Sequence, residues 1–179
     1  MKLQTDRLLM KPFETHHLND VFEIYNDDTT CQFLLHDKWT DENKERRFER
    51  KLNHNQLTNE NTLNLAVLVG TKVIGDVSVW YTDMKDTVEI GYTFSKSVSG
   101  KGYATEAVNA LIDYLFEDVQ VHRIQANLDA RNIASRNLCE RVGMRKEAHF
   151  VQDFWNKGEW TDSIVFGMLK SDLKKREKN

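Results

Sequence analysis

Apolar residues recur along this chain with two different periods, and the switches between them mark out the elements. Leu8 and Met10 alternate with polar neighbours within residues 3–11, which predicts a first strand stopped by Pro12, the only proline. Leu18, Val21, Phe22 and Tyr25 then recur at helical spacing over residues 16–26, and Asp27, Asp28, Thr29 and Thr30 close that helix in a polar turn. A loop carrying Phe33, Leu34, Leu35 and Trp39 leads to Thr40-Asp41-Glu42-Asn43, a capping start for a charged helix with Phe48 and Leu52 that ends at Asn53-His54-Asn55. Three period-two runs follow, marked by Leu63, Leu65 and Val67, by Val73, Val77 and Val79, and by Val88, Ile90, Tyr92 and Phe94. The turns between them are too short for crossover helices, so the three form an antiparallel meander.

The helical period then returns. Ala104, Ala107, Val108, Leu111 and Leu115 lie at i, i+3, i+4, i+7 and i+11, and Ile112, Tyr114 and Phe116 widen the stripe into that of a largely buried helix. Ile124, Ala126 and Leu128 alternate with polar residues in a strand, after which Asn132 caps a helix with Leu138 and Val142 inward and Gly143 as a left-handed cap. Residues 150–155 and 160–169 read as two strands around Asn156-Lys157-Gly158-Glu159. The order β-α-α-β-β-β-α-β-α-β-β is of the α+β class, with one helix-linked crossover between strands that run parallel.

Composition narrows the function more than the fold. A chain of 179 residues with 40% hydrophobic and 30% charged residues is an ordinary globular domain spanning residues 1–179. Its net charge of −3 argues against a nucleic-acid partner, and the lysines and arginine interleaved with Asp172 and Glu177 over residues 171–179 read as a solvated, flexible basic tail. No apolar run is long enough to span a membrane and the first residues lack a secretory segment, so the expectation is a cytoplasmic protein without a membrane partner. Cys31 and Cys139 are too few and too far apart for a disulfide framework, and His16-His17, His36 and His149 lack metal-site spacing, so no metal is expected.

The candidate chemistry lies in residues 97–107, where two of the eight glycines, Gly100 and Gly102, fall between the third meander strand and the buried helix. Such a junction suits an anion, because glycines allow close backbone approach and the first helical N–H groups have no intrahelical partner. A bare Gly-x-Gly is equally what a tight loop needs, so the motif alone leaves both readings open. Asn132, Ser135 and Cys139 share one helical face beside the core. Asn132 also reads as a helix cap, Ser135 as a back-bonded serine and Cys139 as a small buried residue.

Taken together, several segments make the chain resemble the GNAT acyl-CoA N-acetyltransferases, in particular their RimJ/RimL-like branch. Ser99-Gly100-Lys101-Gly102-Tyr103-Ala104 is similar to the family's Gln/Arg-x-x-Gly-x-Gly/Ala signature, with Ser99 where Gln or Arg is usual. It is followed by the branch's Ala-Thr-Glu-Ala helix start. Thr5-Asp6-Arg7-Leu8, Glu89-Ile90-Gly91-Tyr92 and the segment from Asn132 to Met144 also resemble it. The resemblance implies a mostly antiparallel twisted sheet of about seven strands with about four helices, splayed between the fourth and fifth strands. It further implies acetyl-CoA as cosubstrate, its pyrophosphate on the residues from Ser99 and Gly100 through Lys101, Gly102, Tyr103, Ala104 and Thr105. By the same resemblance Phe94 gives the pantetheine arm backbone contacts and the thioester oxygen an N–H, Asn132 touches the arm, and Ser135 protonates the departing thiolate, since Cys139 occupies the position of the usual tyrosine acid. The acceptor is then a primary amine, on a small molecule or at a protein N-terminus. Glu89 is the first candidate for its base and Asp153 the second, with Trp39, Trp155 and Trp160 walling the cleft. A homodimer is common in that branch. The alternative is a CoA-binding sensor or scaffold without efficient catalysis.

Overall fold

The computed structural model describes residues 1–176. In chain order these form β1 (Leu3–Gln4), β2 (Leu9–Pro12), α1 (Leu18–Tyr25), α2 (Asp28–Cys31), α3 (Lys44–Asn53), β3 (Asn55–Thr58), β4 (Asn61–Val69), β5 (Lys72–Tyr81), β6 (Thr87–Phe94), α4 (Tyr103–Glu117), β7 (Arg123–Asp129), α5 (Ile133–Arg141), β8 (Arg145–Asn156), β9 (Glu159–Leu169) and α6 (Lys170–Arg176). All the strands belong to one sheet in the order β1-β2-β4-β5-β6-β7-β9-β8, with β3 paired to β4 off that path. The mixed α+β fold and the meander stand as the sequence implies, and the counts of strands and helices are larger for identifiable reasons.

The expected first strand is two. Thr5 Oγ1 accepts the Leu8 N–H at 3.0 Å and folds the chain back, so β1 pairs antiparallel with β2. The polar turn after α1 is the helix α2, capped by Asp27, whose carboxylate accepts the Thr30 N–H at 2.8 Å. The last strand pair begins earlier than residue 150, because β8 is an edge strand exposed on nearly all its residues, where no alternation of burial shapes the sequence. The stretch expected as a tail is instead α6 through Arg176: Asp172 is buried, accepts the Leu169 N–H at 2.9 Å and pairs with Arg145, and Leu173 packs on the core. Residues 177–179 of that expectation lie outside the described residues.

Helices cover both faces of the sheet. On one, Val108, Leu111, Leu115 and Phe116 of α4 and Leu138 of α5 pack on Val77, Val88, Ile124 and Phe166. On the other, Val21 and Ile24 of α1 and Phe48 of α3 pack on Phe13, Ala66, Leu68 and Val73. β4 is therefore buried along most of its length, as a strand between two helical layers must be.

One pairing shapes everything that follows. β6 and β7 run parallel for only three register pairs, from Thr87 with Arg123 to Glu89 with Gln125. Beyond these, β6 continues to Phe94 paired with β5, and β7 continues to Asp129 paired with β9. The sheet therefore splits between β6 and β7 and opens a gap on its middle line.

Leu115, fully buried in α4, is expected to cost about 2–5 kcal/mol when replaced by Ala. A lower denaturation midpoint at unchanged slope checks this, and Val151→Ala, at an exposed edge position, is expected within about 0.5 kcal/mol of the unsubstituted protein.

Candidate active site

The gap is bordered on one side by the glycine loop. Ser95 accepts the Ser97 N–H and a short 3-10 turn over Lys96–Val98 follows. Gly100 and Gly102 then take φ of +76° and +79°, a left-handed conformation that favours glycine. Gly102 is the N-cap of α4 without a side-chain cap bond, and the first intrahelical bond shown runs from the Glu106 N–H to the Gly102 carbonyl at 3.0 Å. The N–H groups of Tyr103, Ala104 and Thr105 thus remain at the positive end of a fifteen-residue helix.

The N-terminal segment braces this loop. Glu106 accepts from Thr5 Oγ1 at 2.5 Å, from the Arg7 N–H at 3.1 Å and from Arg7 Nε at 2.6 Å. Arg7 Nη1 donates to the Lys101 carbonyl at 2.9 Å, and the guanidinium lies 4.5 Å from the centre of the Tyr103 ring. Partial burial opposes ionisation of Glu106, yet the Thr5 and Arg7 hydrogen bonds hold its carboxyl below the usual range. A bare carboxylate in the first turn of α4 would repel an anion there, and Arg7 neutralises it while tying the loop to β2.

A cavity of about 1330 Å³ opens along this loop and the free part of β6. Of the residues expected to hold the cofactor, all but Lys101 line it: Phe94, Ser99, Gly100, Gly102, Tyr103, Ala104, Thr105, Asn132 and Ser135 do so. Arg141, which the sequence did not single out, also lines it and donates to Thr105 Oγ1 at 3.3 Å. Phe94 fits because Gly75 lies opposite it: a Cβ there would come within 2.5 Å of the ring. Ser95 gives its N–H to the Ile74 carbonyl on β5 at 2.8 Å, so strand alternation turns the N–H of Phe94 the other way, into the gap.

A second cavity of about 310 Å³ lies across the gap, and Tyr92, Thr93, Asn132 and Ser135 are walls of both. Its far side is polar. Asp76 accepts from Tyr25 Oη at 2.7 Å and pairs with Lys51 Nζ at 3.1 Å, while Asp129 is tied to Arg131 at 2.8 Å. His36 Nδ1 is 2.7 Å from the Asp37 carbonyl oxygen, which can only accept, so Nδ1 carries the hydrogen and Nε2 keeps its lone pair. Burial lowers the His36 pKa, favouring neutral imidazole.

At the junction, Asn132 performs its capping role, accepting the Ser135 N–H at 3.1 Å, while also facing the cavities. Ser135 Oγ is 2.8 Å from Tyr92 Oη, and Cys139, almost fully buried, has its Sγ 3.1 Å from the same phenol. Burial pushes the Cys139 thiol and the Tyr92 phenol up.

The remaining expected site residues stand elsewhere. Glu89 belongs to the paired part of β6, accepts from Gln125 Nε2 at 2.9 Å and lines neither cavity, and burial raises its carboxyl above the usual range. Asp153 is exposed on β8. Trp39 is buried and stacked on Tyr25 at 4.8 Å, so it supports the second cavity from behind. Trp155 and Trp160 meet edge to face at 5.3 Å near the β8–β9 turn, each 57% exposed, and wall neither cavity. That turn instead fixes the wall residue Leu34, whose carbonyl accepts from Asn156 at 3.3 Å, with Lys157 donating to the Cys31 carbonyl at 2.6 Å. Glu14, His16 and His17 bring their ligand atoms within 4.8 Å of one another, a closeness their spacing did not suggest. His17 Nδ1 already accepts the Glu14 N–H at 3.1 Å.

Tyr92, Lys51 and Asp76 escaped the sequence reading. Tyr92 fitted the apolar period of its strand, and Lys51 sat in a charged helix. Asp76 left a signal, a lone carboxylate inside the apolar run of β5.

Residues 7–145 match the family model described as "Acetyltransferase (GNAT) domain". The N-acetyltransferase YnaD of Bacillus subtilis is 28% identical over 96% of this chain and 99% of its own length. The [ribosomal protein uS5]-alanine N-acetyltransferase of Escherichia coli is 31% identical over 46% of this chain and 43% of its own. The crystal structure of a GNAT-family acetyltransferase from Bacillus anthracis superposes with a TM-score of 0.86 at 25% identity, covering 96% of this chain and 99% of that one. Because the matched span carries the glycine loop, the split strands and the Ser135 face together, the chain belongs to the GNAT acetyltransferases, a family that uses acetyl-CoA and includes RimJ-like ribosomal-protein N-acetyltransferases among this chain's relatives.

Proposed function

We propose that the chain moves the acetyl group of acetyl-CoA onto a primary amine by direct attack within a ternary complex. The observation that carries this reading is the meeting of two cavities in the strand gap, one beside an anion-binding helix end and one beyond Tyr92 and Ser135. A module that only sensed CoA would need the first cavity alone, so the second favours catalysis.

In this reading the pyrophosphate sits on the N–H groups of Tyr103, Ala104 and Thr105, and the pantetheine arm follows the free edge of β6 to the junction. There the Phe94 N–H faces the thioester oxygen and stabilises the oxyanion as the tetrahedral adduct forms. Direct attack fits the nucleophiles present, because the Cys139 thiol is buried and raised, and so unsuited to carry the acetyl group. The acceptor amine enters through the smaller cavity, whose volume suits a small amine or one terminal residue of a peptide. Its proton passes to His36 Nε2, the lone pair that the tautomer leaves available in that cavity; Glu89 lines neither cavity and its carboxylate is engaged by Gln125 Nε2. Ser135 supplies the proton to the departing thiolate.

Thiol release from acetyl-CoA is expected to depend on an added amine across a panel of peptides and small amines; CoA binding without such release would favour the sensor. Gly102→Val places a side chain at the pyrophosphate seat and a Cβ where φ is positive. It is expected to weaken CoA binding at least about tenfold while costing only about 1–2 kcal/mol of stability, and retained affinity in a CoA titration would remove the loop from the donor site. If His36 is the base it must be neutral to act. With its pKa lowered by burial, activity is present above that pKa and lost as pH falls through it. The acid limb of kcat is therefore expected below the ordinary imidazole value of about 6.5, and His36→Gln should lower kcat and abolish that limb.

A further inference from the structure

Tyr92 and Ser135 reach the junction from opposite sides of the gap, one from β6 and one from the first turn of α5. Tyr92 Oη lies 2.8 Å from Ser135 Oγ, 3.2 Å from the Ser135 carbonyl oxygen and 3.1 Å from Cys139 Sγ. The phenol has one proton and two oxygen acceptors here, the Ser135 carbonyl at 3.2 Å and the nearer Ser135 Oγ at 2.8 Å, and when it donates to Oγ the serine proton stays free. A serine hydroxyl held by nothing rotates among staggered positions, whereas this one meets a phenol whose ring is fixed on a strand.

We propose that Tyr92 is the positioning residue of the thiol-leaving step, its hydroxyl holding Ser135 Oγ so that the serine proton is aimed at the departing sulfur. The proposal rests on the acetyl-transfer reading above. Once the amine nitrogen has attacked, the adduct carries a C–N bond, an oxyanion and one surplus proton on nitrogen. As the C–S bond breaks and the carbonyl re-forms, sulfur takes the Ser135 proton and Ser135 Oγ takes the surplus proton from nitrogen. The products are the amide and the CoA thiol, and the serine returns to its starting state. A phenol donating to Ser135 Oγ stabilises that oxygen while its proton is shared with sulfur. Burial suits the task, because it keeps the phenol protonated. Cys139 lies behind Tyr92 and does not replace it: the thiol is almost fully buried and lines neither cavity.

The test compares Tyr92→Phe, Ser135→Ala and the double variant with the unsubstituted protein. The first keeps the ring and removes only the oxygen, so the melting temperature checks packing. Tyr92→Phe is expected to lower kcat about 100-fold while CoA affinity stays within about threefold. The double variant should be no slower than Ser135→Ala, because the two hydroxyls act as one unit. A readout that a purely structural tyrosine would not move is the pKa of the CoA thiol in the binary complex, followed by thiolate absorption: it is expected to be higher in Tyr92→Phe. Wild-type kcat in Tyr92→Phe, multiplicative losses in the double variant or an unmoved thiol pKa would each overturn the proposal. Failure of the unsubstituted protein to bind CoA would instead overturn the donor-site reading beneath it.

Discussion

The structure depends on a pairing that stops. β6 and β7 lie side by side for three residues and then part, each kept in the sheet by its other neighbour. Strand edges present N–H and C=O groups that need partners, so a split inside a sheet is stable only where something other than strand meets those edges. Here the split lies between two helical layers, flanked by the glycine loop that follows β6 on one side and the Asn132 turn that follows β7 on the other. It offers an extended ligand the place of a missing strand. The divergence is enforced from outside: β7 holds β9 through seven register pairs, and β5 holds β6 through seven more, so neither strand is free to close the gap.

That enforcement extends to the loop. The buried stripe of α4 fixes the helix axis in the core, which sets where its N-terminus points. Position alone would leave an acidic first turn facing an anion. The Thr5 and Arg7 contacts compensate that carboxylate, and because Arg7 also grips the Lys101 carbonyl, the same residue that neutralises the helix start shapes the loop before it. The opening segment of the chain therefore sets the charge at the start of α4, although it lies about a hundred residues away in sequence.

The legible parts were those governed by local rules. The helical stripe from Ala104 to Leu115, the meander, the glycine junction and the Asn132 cap follow from period, turn chemistry and capping, and the structure keeps all four. What was not legible depends on contacts distant in sequence. Thr5 folds the first strand in two with a hydrogen bond that no periodicity encodes, and Asp172 anchors a helix in a stretch whose charge reads as solvated. Aromatic residues misled in both directions. Trp39 looked like cleft wall and is core, whereas Tyr92 looked like core and has its hydroxyl at the junction, because a period reports where a ring is buried and says nothing of its polar tip.

On the proposed reading, the charges around the junction bear on how the site would treat an arriving ammonium. Among the described residues lining the second cavity, the acidic and basic side chains are tied to opposite charges: Lys51 with Asp76, Asp129 with Arg131. The groups closest to the transfer point, Tyr92 and Ser135, are uncharged, and burial favours neutral His36. An unpaired carboxylate there would bind the ammonium more tightly and raise its pKa, stabilising the form that cannot attack. Compensated charges remove that trap while keeping the cavity polar enough to admit an amine. In the proposed reaction, once the amine is neutral the tetrahedral adduct develops its charge beside the Phe94 N–H, so the differential stabilisation would fall on the transition state and leave the substrate amine reactive.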